Sequence, residues 1–337
     1  MFPHRIERFV SKAHRWLALA LVLMCAEGSG ARQVLGSQGG TSNAAQARRE
    51  DWRSPAIAKD DLPPAQPLVM TTGRTDNFTL LLIRLQWRPM DPIDLYVALP
   101  KGVEKPPVIL YLFGHPTTTD RFKSEAFQKL ATDKGFASVG FVPAFEGQRF
   151  HERGINEWFV SELQESLATT SHDVQRVLDY LDTRPDLDMS HVGMFAQGSG
   201  ATIAILAAAV DSRIQALDLV DPWGDWPDWL AGSSVIPEDE RAQFTKPEFL
   251  DKVENLDPIR WFPSVKSRAV RLQDVLSEDR TPKAAKQRLR SALPASGTYV
   301  AYPNPKEFET VASSGAIFDW IKEQLRTGSV SAAKPQP

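Results

Sequence analysis

Few residues in this 337-residue chain are of types that carry covalent chemistry, and their positions limit what that chemistry is. Ser199 sits between Gly198 and Gly200, where a short apolar run, 192–195, passes into a run of small residues, 201–210. A serine hydroxyl is a weak nucleophile until a neighbouring base takes its proton, so the histidines decide whether Ser199 can act. They are His4, His14, His115, His151, His172 and His191, and none follows residue 191. His115 comes directly after Gly114 at the end of an apolar run, which places it at the mouth of a strand. His151 lies in the polar loop 146–154 and is the second candidate base. His172, near the start of a helical stretch, and His191, just before a strand, read as structural. A satisfied loop histidine is the simpler account of His115, and a surface position the simpler account of His151.

Other chemistries are excluded more readily. No spacing of His, Asp and Glu suits a metal ion. No Gly-x-Gly-x-x-Gly follows a strand and no phosphate loop is present, so no cofactor is expected. Cys25 is the only cysteine and lies in the N-terminal segment, which excludes a thiol nucleophile or thiolate metal site in the folded domain. The most unusual composition is Asp221-Pro222-Trp223-Gly224-Asp225-Trp226-Pro227-Asp228-Trp229. Tryptophans at intervals of three either line a pocket, stacking on a ring or a peptide side chain, or pack the segment onto the domain by its own aromatics. In the second case Asp225 and Asp228 are solvated turn residues.

These residues are carried by alternating elements. Strands are expected at 78–85, 93–99, 108–113, 136–142, 192–195, 214–220, 269–276 and 298–302, and helices at 124–134, 167–181, 201–210, 283–293 and 312–325. The first two strands, joined by Arg88-Pro89-Met90-Asp91-Pro92, read as an antiparallel pair. Continuous apolar runs such as 108–113 fit strands buried on both faces. The alternation predicts an α/β fold with a doubly wound, mostly parallel sheet covered by helices. The interval 221–263 breaks the rhythm and is read as a Trp-rich lid insertion over the carboxyl ends of the strands, where ligands bind in open α/β sheets.

Three stretches together resemble the helix–strand–elbow unit of α/β-hydrolases: Asp173-Val174-Gln175-Arg176-Val177-Leu178-Asp179-Tyr180-Leu181, then Arg184-Pro185-Asp186-Leu187-Asp188, then Val192-Gly193-Met194-Phe195-Ala196-Gln197-Gly198-Ser199-Gly200. The likeness is to the branch holding dienelactone hydrolases, acetyl xylan esterases and prolyl-oligopeptidase-like proteins, and it spans roughly 77–326. The run 107–115 resembles the third strand with its oxyanion loop, and 144–149 the loop after the fourth. Active members carry a serine at the centre of small-x-Ser-x-small, on a strained turn from strand to helix. With Gly198 central, the flanking residues are Ala196 and Gly200, both small. With Ser199 central they would be Gln197 and Ala201, and Gln197 is too large for the turn. The resemblance therefore puts Gly198 at the nucleophile position. It puts the Ser199 N–H beside Gly114 and His115 around the oxyanion site, with Trp223 and Trp226 as pocket residues. It also implies a histidine after the last strand, where this chain has Pro303-Asn304-Pro305-Lys306-Glu307-Phe308, and an acid in Ser277-Glu278-Asp279-Arg280, where Glu278 and Asp279 are the candidates. The expectation is a hydrolase scaffold with a broken triad that binds a small molecule, a peptide or another partner in the inherited cleft. The alternative is an active serine esterase or peptidase using Ser199 with His115 or His151. A third reading is an envelope interaction module.

Composition frames these readings. Apolar residues make up 42% and charged residues 24%, with a net charge of −3, so nucleic acid and anionic membrane are not expected partners. Arg5, Arg8, Lys12 and Arg15 precede the apolar run 16–26, and Ser29 and Ala31 suit signal-peptidase cleavage. That run is too short for a bilayer span of about 20 residues. The layout predicts a signal peptide over 1–31, hence export to a periplasm or beyond, with an uncleaved membrane anchor as the alternative. Lipidation at Cys25 is weaker, because bulky Met24 precedes it. A flexible linker is expected over 32–67, an α/β-hydrolase-like domain over 68–327 and a disordered tail over 328–337.

Overall fold

The structure, a computed structural model, describes residues 50–58, 66–88, 91–117, 119–150 and 158–330. The segment 1–31 read as a signal peptide, with His4, His14 and Cys25, lies outside the described residues, as does His151. Nine strands form one sheet: β1 (Gln66–Arg74), β2 (Phe78–Gln86), β3 (Ile93–Pro100), β4 (Pro107–Leu112), β5 (Ala137–Gly140), β6 (Asp188–Gln197), β7 (Ile214–Val220), β8 (Ala269–Val275) and β9 (Thr298–Tyr302). Their order across the sheet is β1-β2-β3-β5-β4-β6-β7-β8-β9. β1, β2 and β3 pair antiparallel, β3 meets β5 antiparallel, and the rest are parallel.

The apolar run in β4 shows how the two layers arise. Side chains alternate across a strand, so Val108, Leu110 and Leu112 enter one core with the helices Leu163–Asp182 and Ser199–Val210. Ile109 and Tyr111 enter the other, beneath Ile321 and Leu325 of the helix Asp319–Val330. Ser199–Val210 is almost wholly buried. Its glycine and alanines let it lie between the sheet and Leu163–Asp182 without pushing either away.

Several expectations change. β1 begins at Gln66, inside the stretch read as linker. It carries no buried period: Leu68, Val69 and Met70 are 58%, 59% and 46% exposed on this sheet edge, so its sequence lacks the alternation that marks a half-buried strand. Residues 50–57, also read as linker, dock on Leu163–Asp182. Ser171 Oγ and Gln175 Nε2 donate to the Pro55 carbonyl at 3.0 and 2.7 Å, and Gln175 Oε1 accepts from Ile57 N at 3.2 Å. The expected helix over 312–325 is two helices, Pro305–Ser313 and Asp319–Val330, parted at Gly315 with φ 80°. That glycine ends the first helix in the left-handed conformation an L side chain disfavours.

A buried ionic cluster ties distant segments behind the sheet. Asp173 accepts from Trp87 Nε1 (3.1 Å), Arg88 Nη1 (2.6 Å) and Arg149 Nη1 (2.9 Å). Arg88 also pairs with Glu50 (2.6 Å), Arg149 with Asp91 (2.6 Å), and His172 Nδ1 meets Glu50. His172 sits mid-helix, not near its start, because that helix begins at Leu163. Its Nε2 lies 2.8 Å from the Ser54 carbonyl.

Candidate active-site cleft

β6 runs straight into the helix Ser199–Val210 through Gly198, whose φ of 59° and ψ of −129° turn the chain sharply at the carboxyl edge of the sheet. The turn is held by Gly198 N donating to the Val220 carbonyl at 2.9 Å. Neighbouring glycines allow the close approach. A Cβ on Gly114 would lie 2.8 Å from the Gln197 carbonyl oxygen and 2.9 Å from Ser199 N, and one on Gly200 only 2.5 Å from the Leu112 carbonyl oxygen. At Gly198 itself the nearest atoms would be 3.4 Å (Gly114 Cα) and 3.5 Å (Trp223 Nε1) away, ordinary contact distances. The turn therefore has room for a side chain at Gly198 and none at Gly200.

Ser199 is fully buried. Its Oγ accepts a hydrogen bond from the His115 backbone N–H at 2.8 Å, tying the elbow to the loop after β4. It does not line the cleft, which is bounded among others by Gly114, His115, Gly198, Asp221, Trp223 and Glu278 and has a volume of about 360 Å³.

His115 faces this cleft, half-buried, its ring stacked 5.4 Å from Phe159. Burial, together with the nearby Arg280 charge, pushes its pKa down to about 4, and its Nδ1 has no hydrogen-bond partner among the described residues. An imidazole that titrates so low and does not touch the Ser199 hydroxyl is poorly matched to general-base work at neutral pH. His191 pairs with Asp188 at 2.7 Å at the far end of β6. Glu278 lines the cleft with Arg280 3.8 Å away, whereas Asp279 is exposed and outside the lining. Where a histidine would follow β9, Asn304 caps a helix, its side chain accepting from Glu307 N at 3.2 Å. Pro305, Phe308 and Glu309 of that helix wall the cleft.

The three tryptophans do not share one role. Trp223 lines the cleft and stacks on Trp229 at 4.7 Å. Trp226 and Trp229 are buried in the main core, outside the lining. Around them 221–263 forms four short helices, Trp226–Gly232, Arg241–Phe244, Pro247–Val253 and Pro258–Trp261. Asp225 is buried against Arg288 (3.1 Å), unlike a solvated turn residue.

Asp221 and Arg121 also line the cleft, with no local sequence signal that marks them. Asp221, with φ 44°, directly follows β7 and accepts from Val275 N (3.0 Å) and Lys286 Nζ (3.1 Å). Arg121 lies over the Phe113 ring at 4.0 Å. Behind the loop, buried Glu146 accepts from Thr117 N at 2.9 Å. Among the described residues no three His, Cys, Asp or Glu side chains are placed to hold a metal, and no helix is long and apolar enough to cross a membrane.

This backbone has solved counterparts. An acetyl xylan esterase from Paenibacillus sp. R4 superposes with a TM-score of 0.60 at 16% identity, over 77% of this chain and 88% of that one. Acetyl xylan esterase 1 from Thermoanaerobacterium sp. JW/SL YS485 gives 0.56 at 14%, over 72% and 82%. An S-formylglutathione hydrolase from Agrobacterium tumefaciens gives 0.54 at 12%, over 76% and 99%. The chain has the α/β-hydrolase fold. No family model and no curated protein matches its sequence. Gly198 follows β6, Glu278 and Asp279 lie in the loop after β8, and the sequence after β9 contains no histidine. β1 lies outside β2 at the sheet edge, beyond the strands that carry these positions.

Glu146 gives this loop a pH signature. Burial raises its carboxyl to about 8 from an ordinary 4.5, against the bond from Thr117. The folded chain thus keeps a proton that the unfolded chain releases near 4.5, and stability declines as pH rises through the interval up to about 8. Glu146→Gln, neutral at every pH, is expected to remove that decline and to exceed the native chain by on the order of 2–4 kcal/mol at alkaline pH. Urea unfolding across this range reads the difference, and parallel curves for both proteins would contradict it.

Proposed function

We propose that this chain is an exported α/β-hydrolase-fold protein that binds a small molecule in the inherited cleft and lacks ordinary serine-hydrolase activity. The observation that carries this reading is the elbow. The residue at the strained strand-to-helix turn is Gly198, and the adjacent Ser199 hydroxyl is buried as the acceptor of the His115 N–H. Attack on an acyl carbon needs a hydroxyl presented to the cleft and a base within reach of its proton. Ser199 offers neither. Loss of a nucleophile or a base in comparable triads costs roughly a millionfold in turnover, and the losses do not add. What persists is a walled cleft with aromatic and charged lining, the kind of site that holds small ligands.

Esterases and hydrolases are the named activities of the structures this fold resembles. That likeness supports descent of the cleft, while the side chains within it support binding without turnover. The alternative, catalysis by Ser199 with His115, would require the serine to rotate off the His115 N–H and a neutral, low-pKa imidazole to reach it. Export rests on the basic opening followed by the apolar run 16–26 and small residues up to Ala31. One intact-mass measurement addresses both parts. A mature chain beginning after Ala31 and inert to a fluorophosphonate supports the proposal, and adduct formation at Ser199 counts against it.

A further inference from the structure

The turn at Gly198 leaves a gap that a neighbouring side chain addresses. Trp223 is 1% exposed, yet it lines the cleft, and its Nε1 lies 3.5 Å from the point where a Cβ on Gly198 would sit. Among the described residues this indole N–H has no hydrogen-bond partner. The N–H opens on the cleft, where a ligand oxygen at the gap would accept from it. The second donor is the backbone. Ser199 opens a helix of 12 residues, whose first N–H groups have no intrahelical acceptor and which carries positive partial charge at this end.

Two guanidinium groups and three carboxylates line the cleft, and two of the carboxylates have a cationic neighbour. Asp221 is occupied by Lys286 and the Val275 N–H, at 3.1 and 3.0 Å. Glu278 has Arg280 3.8 Å away. Arg121, stacked on Phe113, has no carboxylate partner among the described residues, while Glu309 stands exposed on the rim. His115 is half-buried and faces the same space. The cleft volume of about 360 Å³ suits one small ring with a substituent, and Trp223 and Phe308 supply flat walls.

We infer that the vacated nucleophile position is a carboxylate receptor, in which Trp223 Nε1–H and the Ser199 backbone N–H hold the carboxylate of a small aromatic or similarly compact organic acid. This deepens the proposed binding function and rests on it. Filling the gap with a side chain competes with the ligand, because a serine hydroxyl at position 198 would itself accept from Trp223.

The test is titration of the ¹⁵N-labelled protein with sodium benzoate, followed by two-dimensional NMR of the indole N–H signals. Nine tryptophans give nine signals at most, and the Trp223 signal is identified by its loss in Trp223→Phe. The expected result is that benzoate moves this signal in the native chain. Benzamide, of similar shape without the charge, is expected to bind about tenfold more weakly. Gly198→Ser, whose Cβ meets only ordinary contacts, is expected to weaken benzoate at least about tenfold, and it reports even where Trp223→Phe does not fold. Absence of any shift, an equal response to benzamide, or undiminished binding by Gly198→Ser would each overturn the inference. Inertness to fluorophosphonate is read separately, so a chain that is both inert and blind to benzoate loses this site while keeping the non-catalytic reading.

Discussion

Gly200→Ala is expected to lower stability by about 3–5 kcal/mol, whereas Gly198→Ala, two residues away, costs only about 1–2 kcal/mol. The difference comes from what each added methyl meets. On Gly200 it would lie 2.5 Å from the Leu112 carbonyl oxygen, 2.8 Å from the Leu112 carbonyl carbon and 3.0 Å from that of Phe113. All three are backbone atoms at the end of β4, which is held in register between β5 and β6. They cannot yield as a side-chain tip would, so either the sheet or the helix must shift. On Gly198 the nearest atom would be 3.4 Å away, and the cost is that of a non-glycine residue at φ 59°. Urea unfolding of both variants reads the contrast. Equal losses would contradict the assignment of Gly198 as the side-chain-bearing position of the turn.

Asp173→Ala is expected to destabilise the fold by about 3–5 kcal/mol. Asp173 is completely buried and accepts from Arg88, Arg149 and Trp87. Removing its carboxylate leaves two guanidinium groups, 14% and 2% exposed, with only the more exposed Asp91 shared between them and Glu50 beside Arg88. An exposed pair gives the control: Glu254→Ala, which frees Arg260 on the surface, is expected to change stability by less than about 1 kcal/mol. The loss should also reach the cleft. Arg149 belongs to the turn Gly147–Phe150, adjacent to Glu146, which accepts from Thr117 N in the cleft loop. Thermal unfolding of the two variants measures the gap between them, and comparable shifts would show that the cluster adds little beyond a surface pair.

How much of this was legible in the sequence depends on the range of the forces involved. The turn after β6 could be placed because steric demand at a tight turn is local: Ala196, Gly198 and Gly200 are small, and Gly198 takes φ 59° where the strand passes into the helix. β4 and β6 were equally readable, since strands buried on both faces are apolar throughout. β1 was not, because Leu68, Val69 and Met70 lie exposed on a sheet edge and leave no burial period. The helix after Tyr302 was read as loop, although Asn304 and Pro305 are a cap and first-turn pair of the ordinary kind. Trp226 and Trp229 had the composition of a pocket and the destination of a core, a distinction that spacing alone does not make. Arg121, Asp221 and the Asp173 cluster depend on partners far away in the chain. Arg88 and Asp173 are 85 residues apart, and no local pattern announces such a pair.

The central claim is that Ser199 is a structural hydroxyl in a hydrolase scaffold without a nucleophile. Intact-mass analysis after exposure to a fluorophosphonate tests it most directly, because the reagent needs only an activated serine and makes no demand on substrate identity. The native chain is expected to keep an unchanged mass, identical in behaviour to Ser199→Ala. A stoichiometric adduct on the native chain that disappears in Ser199→Ala would contradict it.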